Sequence, residues 1–194
     1  MKARQFILAS ASPRRAELLR QVVTDFHVVP GDTSEMHDDQ LTAWEMAQIN
    51  AYRKARAVAK KLPDALVLGA DTLVYLDRET KLFGKPADPG QAFKMLEQLQ
   101  GRTHAVITGV CLTHLREHRQ RVFAEWTDVR FHPLSEKQIR EYLSLIDPLD
   151  KAGAYAIQEH GELIVEEISG SYSNVVGLPL ERVREELGTW QNPG

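Results

Sequence analysis

The chain has 194 residues, 43% of them hydrophobic and 26% charged, with a formal net charge of −3. That balance suits one sizeable core and gives no reason to expect a nucleic acid or a membrane surface as partner, so any anionic ligand has to be held locally. A single cysteine, Cys111, excludes an internal disulfide; no apolar run reaches the roughly 18–20 residues of a membrane span, the stretch after the basic residues 1–5 is too short for a signal-peptide core, and a soluble cytoplasmic protein is expected.

Phe6, Ile7, Leu8 and Ala9 read as a strand feeding a helix with Ser12 as N-cap and Pro13 at its first position. The free N–H groups of that helix start and the guanidinium groups of Arg14 and Arg15 converge on one spot suited to an anion. Read alone, the run is equally an ordinary capped helix with two surface arginines. Leu18, Leu19, Val22 and Val23 give the helix an apolar stripe, and residues 26–29 read as a short strand. Pro30-Gly31 opens an acidic loop that carries Glu35. Thr42 and Glu45 form a capping box ahead of a long helix with Trp44, Ala47, Ala51, Ala55, Val58 and Leu62 as its buried stripe and Lys54 at its flank.

Residues 65–76 are apolar on both sides, as in a central buried strand, yet they contain Asp71. A buried aspartate has to be paired or coordinated, so Asp71 is either hydrogen-bonded across the sheet or catalytic. Lys85-Pro86 lies in the following loop, and Asp88, Pro89 and Gln91 open a helix with Met95, Leu96 and Leu99 inward and Gly101 as its close. Residues 104–115 and 121–131 read as a hairpin. Ser135 with Gln138 caps a helix carrying Ile139, Tyr142, Leu143 and Ile146, stopped by Asp147-Pro148. In residues 150–158 small side chains permit close backbone approach, and Lys151, Tyr155 and Gln158 supply donors. A strand over 163–168, a loop over 170–174 and a closing helix with Leu180, Val183 and Leu187 before Gly188 complete the pattern. With no linker or repeat, residues 1–194 read as one domain.

His114-Leu115-Arg116-Glu117-His118 has the spacing of an inverted zinc-protease motif, but that motif needs both histidines on one helix face, and here it falls in a strand connection. Walker-type and dinucleotide-binding glycine patterns are absent. What remains is cations (Arg14, Arg15, Lys54, Lys85, Lys151) and carboxylates (Glu35, Asp71) at loop and element ends, a mixture suited to a metal-bound polyphosphate.

Seven blocks in order, Ser10-Ala11-Ser12-Pro13-Arg14-Arg15, Glu35, Lys54-Ala55, Gly69-Ala70-Asp71-Thr72, Lys85-Pro86, Asp150-Lys151-Ala152-Gly153-Ala154-Tyr155 with Gln158, and Val176-Gly177-Leu178-Pro179-Leu180, resemble the Maf family of nucleoside triphosphate pyrophosphatases. The resemblance implies an α/β fold of the Maf/ITPase-like kind, with an elongated mixed central sheet flanked by helices and two lobes with a cleft. It also implies a magnesium- or manganese-dependent enzyme, usually a homodimer, that splits a small-molecule nucleoside triphosphate into monophosphate and pyrophosphate. By resemblance Asp71 is the proton acceptor that activates water, Glu35 and Asp71 hold the metal, and Ser10, Arg15, Lys54 and Lys85 bind phosphate. Arg14, Thr72 and Gln158 match the branch that prefers thymidine and uridine triphosphates, dTTP and UTP, over the branch that takes 7-methylguanosine triphosphate. A nucleotide-binding regulator of cell division with little turnover is the competing class; intact Asp71, Glu35, Lys54 and Lys85 favour the enzyme. Residues 76–84, ahead of Lys85-Pro86, depart from the pattern as an insertion.

Overall fold

The computed structural model describes residues 5–31, 33–34, 36–38, 40–76 and 81–191. Its elements are β1 (Phe6–Leu8), α1 (Pro13–Arg20), β2 (His27–Val28), α2 (Ala43–Ala59), β3 (Leu66–Leu76), β4 (Lys81–Phe83), α3 (Pro89–Leu99), β5 (Thr103–His114), β6 (Arg119–Phe131), α4 (Glu136–Leu145), β7 (Val165–Ser169), α5 (Tyr172–Val176) and α6 (Leu180–Gln191). Two single turns of 3-10 helix, Ala152–Ala154 and Gly161–Leu163, precede β7. The strands form a seven-stranded sheet in the order β2-β1-β3-β5-β6-β7, with β4 paired to β3. It is mixed: β1 runs parallel to β2 and β3, whereas β3–β4 and β6–β7 are antiparallel. The expected helix-flanked α/β sheet is what the chain builds.

The chain divides into two compact units, Met1–Asp71 with Thr108–Glu125 and Gly177–Gly194, and Thr72–Ile107 with Trp126–Val176. Each has its own apolar core. In the first, Ile7, Ala9, Val67 and Cys111 of the sheet meet Ala51, Ala55, Val58 and Ala59 of α2. In the second, Val74, Leu76, Val106, Val129 and Phe131 meet Leu96 and Leu99 of α3 and Ile139 and Tyr142 of α4.

The alanines of α2 have a purpose that glycine completes. A Cβ on Gly69 of β3 would lie 2.6 Å from the Ala51 carbonyl oxygen, so only glycine lets the helix backbone settle directly on the strand. Gly109 of β5 meets the Ala47 carbonyl in the same way. The residues of α2 beyond Ala51 are thereby brought close enough to the sheet for a lysine to reach it.

Several boundaries differ from the sequence reading. Trp44 is 41% exposed, because the buried arc of α2 runs through Ala43, Met46, Ala47 and Asn50 and leaves Trp44 outside it. Helix α1 stops at Arg20, which puts Val22 and Val23 in the turn beyond it, and α2 stops at Ala59, before Leu62. The strand expected from residue 163 begins at Val165, and the loop expected over 170–174 closes into the short helix α5. Helix α6 continues through Gly188, which neither requires a left-handed backbone nor meets anything that would end the helix.

Candidate active site

Strand β1 ends at Leu8, paired in register with Leu68 of β3, and Ala9 N–H donates to the Leu68 carbonyl at 2.7 Å. Ser10 therefore lies just past the carboxyl end of β1, where open α/β sheets gather ligands, and Asp71 lies on the neighbouring parallel β3 just beyond the stretch paired with β1. Beyond Ser10 the chain turns into α1, capped as its sequence requires: Ser12 Oγ accepts from Arg15 N–H at 3.4 Å, and Pro13 stands at the helix start. Ser10 Oγ accepts from Ser12 N–H at 3.2 Å and from Arg15 Nη1 at 3.3 Å. Arg15 Nε donates to the Gly177 carbonyl at 2.8 Å. Gly177 holds φ of 125°, which favours glycine, and its carbonyl aims the guanidinium at the start of α1. Cation, hydroxyl and helix N-terminus thus stand together, as an anion site needs.

The second pair lies on β3 and α2. Asp71 is 2% exposed, and its Oδ1 accepts from Lys54 Nζ at 2.5 Å. Asp71 Oδ2 is buried with no hydrogen-bond partner among the described residues. A buried carboxylate holding one cation at one oxygen, with its second oxygen unmatched, retains a strong acceptor for another donor or positive charge. This resolves the two readings of Asp71 in part: it is paired, by a lysine from a helix and not across the sheet, and half of it remains available.

A divalent metal fits this chemistry if it is magnesium-like. Among the described residues no group of three or more His, Cys, Asp or Glu could hold a metal. Magnesium, however, is commonly held by one or two carboxylates, with waters and substrate phosphates completing its shell, and the unmatched Oδ2 is such a ligand atom. Glu35, the other expected ligand, lies outside the described residues. Its neighbour Met36 does not: Asn50 Oδ1 accepts from Met36 N–H at 2.9 Å, and Asn50 Nδ2 donates to the Met36 carbonyl at 3.2 Å. Asn50, 1% exposed and one turn before Lys54, therefore clamps the acidic loop onto α2. Sequence reasoning missed it, although an asparagine among the alanines of a buried stripe was the visible signal.

In the second unit Thr72 is half-buried on β3, and Lys85 and Gln158 are exposed on loops. Arg14, in the first unit, is half-buried in the first turn of α1. Lys151 behaves otherwise than the free cation its sequence suggested. It is 5% exposed, and its Nζ donates to the Asp147 carbonyl at 2.6 Å and to Asp150 Oδ1 at 2.8 Å, with Glu159 Oε1 3.4 Å away. Its charge is spent on its own loop.

The histidine motif fails on geometry, as expected. His114 is the last residue of β5, and His118 sits in the following turn with φ of 51°, so they share no helix face. His114 Nδ1 accepts from Glu117 N–H at 3.3 Å, which makes it a turn-capping group. A large cavity of the first unit, about 1540 Å³, opens at the amino-terminal ends of β1 and β3 beside Gln5, Phe6 and Leu66; His114 and Glu117 line it, but Ser10, Arg15, Lys54 and Asp71 do not.

No helix among the described residues is long and apolar enough to cross a membrane. Comparison with known proteins agrees with the architecture and the motifs. A dTTP/UTP pyrophosphatase of Symbiobacterium thermophilum is 48% identical, over 97% of this chain and 95% of its own length. One from Acetivibrio thermocellus is 44% identical, over 94% of each chain. Among solved structures, the Ham1 protein of Staphylococcus aureus aligns with a TM-score of 0.55 at 16% identity, over 96% of this chain and all of that one. A HAM1 protein of Coxiella burnetii aligns at 0.52 and 13%, over 96% and 99%, and at such identities the likeness speaks for the fold alone. The model of the Maf-like protein family matches residues 5–190, and the chain belongs to that family.

Proposed function

We propose that this protein hydrolyses nucleoside triphosphates, dTTP and UTP foremost and modified pyrimidine nucleotides with them, to the monophosphate and pyrophosphate. The observation that carries the reading is the buried Lys54–Asp71 pair with its unmatched carboxylate oxygen, in a chain 44% and 48% identical over nearly its whole length to proteins named dTTP/UTP pyrophosphatase.

In this reading Asp71 takes the proton of the attacking water as the anhydride between the α- and β-phosphates breaks. The water oxygen stays on one phosphoryl fragment, and the other leaves with the bridging oxygen. Lys54 keeps Asp71 oriented and contributes positive charge to the phosphates, with Ser10, Arg15 and Lys85 as the remaining phosphate ligands. A divalent cation, magnesium or manganese, held by Asp71 and Glu35 would neutralise phosphoryl charge that two carboxylates would otherwise repel. Arg14, Thr72 and Gln158 are assigned to the choice of base. Arginine is donor-only and suits a carbonyl oxygen, while the glutamine amide matches an imide N–H and its adjacent oxygen, the edge that thymine and uracil share and cytosine lacks. Residues 1–194 act as one catalytic domain, and we place the protein in the cytoplasm as a homodimer.

The test is a panel of dTTP, UTP, CTP and GTP with magnesium, read for pyrophosphate against orthophosphate and repeated with Gln158→Glu. The reading expects pyrophosphate, comparable kcat/KM for dTTP and UTP, and a ranking altered by the carboxylate. Release of orthophosphate, or equal rates on all four nucleotides, overturns it.

A further inference from the structure

The segment between Lys151 and Gln158 is tied down with unusual completeness. Tyr142 of α4 is 0% exposed, and its hydroxyl accepts from Ala156 N–H and donates to the Ala156 carbonyl, both at 3.0 Å. One phenol thus satisfies both backbone groups of one residue. Burial pushes the Tyr142 phenol up to about 12, so it remains the neutral donor that this double bond requires. One residue earlier, Tyr155 Oη lies 2.8 Å from Nε2 of the buried His104, at the start of β5. His104, Phe131 and Tyr155 also stack edge to face, with ring centroids 4.7, 5.4 and 4.8 Å apart.

Further back, Gly153 N–H donates to the Gly84 carbonyl at 3.1 Å. Gly153 holds φ of +71°, a backbone conformation that favours glycine, and a Cβ there would crowd Val74 Cγ1 at 3.2 Å. Residues 151, 153, 155 and 156 are each anchored. The anchors end two residues before the exposed Gln158 and, through Gly84, one residue before the exposed Lys85.

We propose that Tyr142 and His104 are positioning residues for base selection: by fixing Ala156 and Tyr155 they present Gln158 from a rigid support, so that the choice of base is made by a pre-formed edge. The proposal rests on the base-reading role assigned to Gln158 above. Its physical content is entropic. A glutamine on a loose loop could turn its amide to match either pyrimidine edge, whereas one leaving a fixed backbone pays for mismatch with unpaired polar groups. Discrimination then belongs to the scaffold as much as to the amide.

The experiment compares wild type, Tyr142→Phe, Tyr155→Phe and Gln158→Ala. The readouts are kcat/KM for dTTP and CTP, the KM and kcat contributions, thermal unfolding, and hydrogen exchange at the Ala156 amide. Tyr142→Phe removes only the hydroxyl, and it is expected to expose the Ala156 amide to exchange. It should also cut the dTTP-over-CTP ratio by about tenfold or more, chiefly through a raised KM for dTTP, since misplacement of about 1 Å costs up to a hundredfold. Tyr155→Phe, which leaves the Tyr142 bonds intact, carries the same test if Tyr142→Phe does not fold, with a smaller loss in the same direction. A folded Tyr142→Phe, or in its absence Tyr155→Phe, that keeps the wild-type ratio while Gln158→Ala collapses it overturns this proposal alone. A Gln158→Ala variant with the wild-type ratio overturns the base-reading role and this proposal with it.

Discussion

Removing Lys54 should cost the fold and the chemistry by different amounts, and the difference separates the roles of the buried pair. Lys54 and Asp71 side chains are 14% and 3% exposed; Asp71 Oδ1 meets Lys54 Nζ at 2.5 Å, while Oδ2 has no partner among the described residues. Truncating one member of a buried pair strands the other charge and typically costs about 3–5 kcal/mol. For a chain of this size that corresponds to a Tm lowered by about 6–20 °C. Lys54→Met keeps the aliphatic volume and deletes the charge, so the loss reports the stranded Asp71. Replacing both partners with apolar residues of similar size, Lys54→Met with Asp71→Leu, should recover much of that stability, because such swaps of buried pairs are often neutral. Activity should not recover. Asp71→Asn alone keeps the shape of the side chain, but loss of a general base typically lowers turnover by about a hundred- to ten-thousand-fold. Urea and thermal unfolding beside steady-state pyrophosphate release provide the measurement. If Lys54→Met lowered stability by less than about 1 kcal/mol, or the double variant were less stable than Lys54→Met, the pair would not be an electrostatic unit. Wild-type turnover by folded Asp71→Asn would remove that residue from the reaction.

Activity is expected to vanish in chelator and to return with magnesium or manganese; full turnover in chelator would refute the cation's part in neutralising the triphosphate. Acid should destabilise the protein through His104, whose pKa burial lowers to about 3 from 6.5. The unfolded chain binds that proton first, so the stabilising contribution is complete above pH 6.5 and is lost as pH falls toward 3, amounting to about 2 kcal/mol between pH 6.5 and 5. Stability-versus-pH curves for wild type and His104→Gln should therefore diverge in slope across that window, and parallel curves would contradict the assignment. Gly69→Ala should destabilise by about 1–3 kcal/mol, since its Cβ would sit 2.6 Å from a backbone oxygen that cannot swing aside. A neutral Tm for that variant would mean α2 does not rest where the structure places it.

Local chemistry in the sequence was enough to determine the helix starts. Ser12, Thr42, Asp88 and Ser135 all cap as read, because a cap and its partner lie within three residues of one another. The buried strand bearing Asp71 was equally legible, since twelve apolar-rich positions bounded by Pro63 and the charged residues after Leu76 leave little else to form. Helix ends were less so: Gly188 looks like a stop, but only the packing around it says whether the helix ends there. The site divides along the same line. Residue types and spacing marked Ser10, Arg15, Lys54 and Asp71 as chemically meaningful, whereas their pairing depends on contacts across 162 residues for Arg15 with Gly177 and 17 for Lys54 with Asp71. Lys151 shows the limit most clearly. As letters it is one more lysine between Asp150 and Ala152, and only the folded loop reveals that its charge is consumed by Asp147, Asp150 and Glu159. A charge reads the same in sequence whether it faces solvent, substrate or its own loop; what surrounds it, and therefore what it can bind, exists only once the chain has folded.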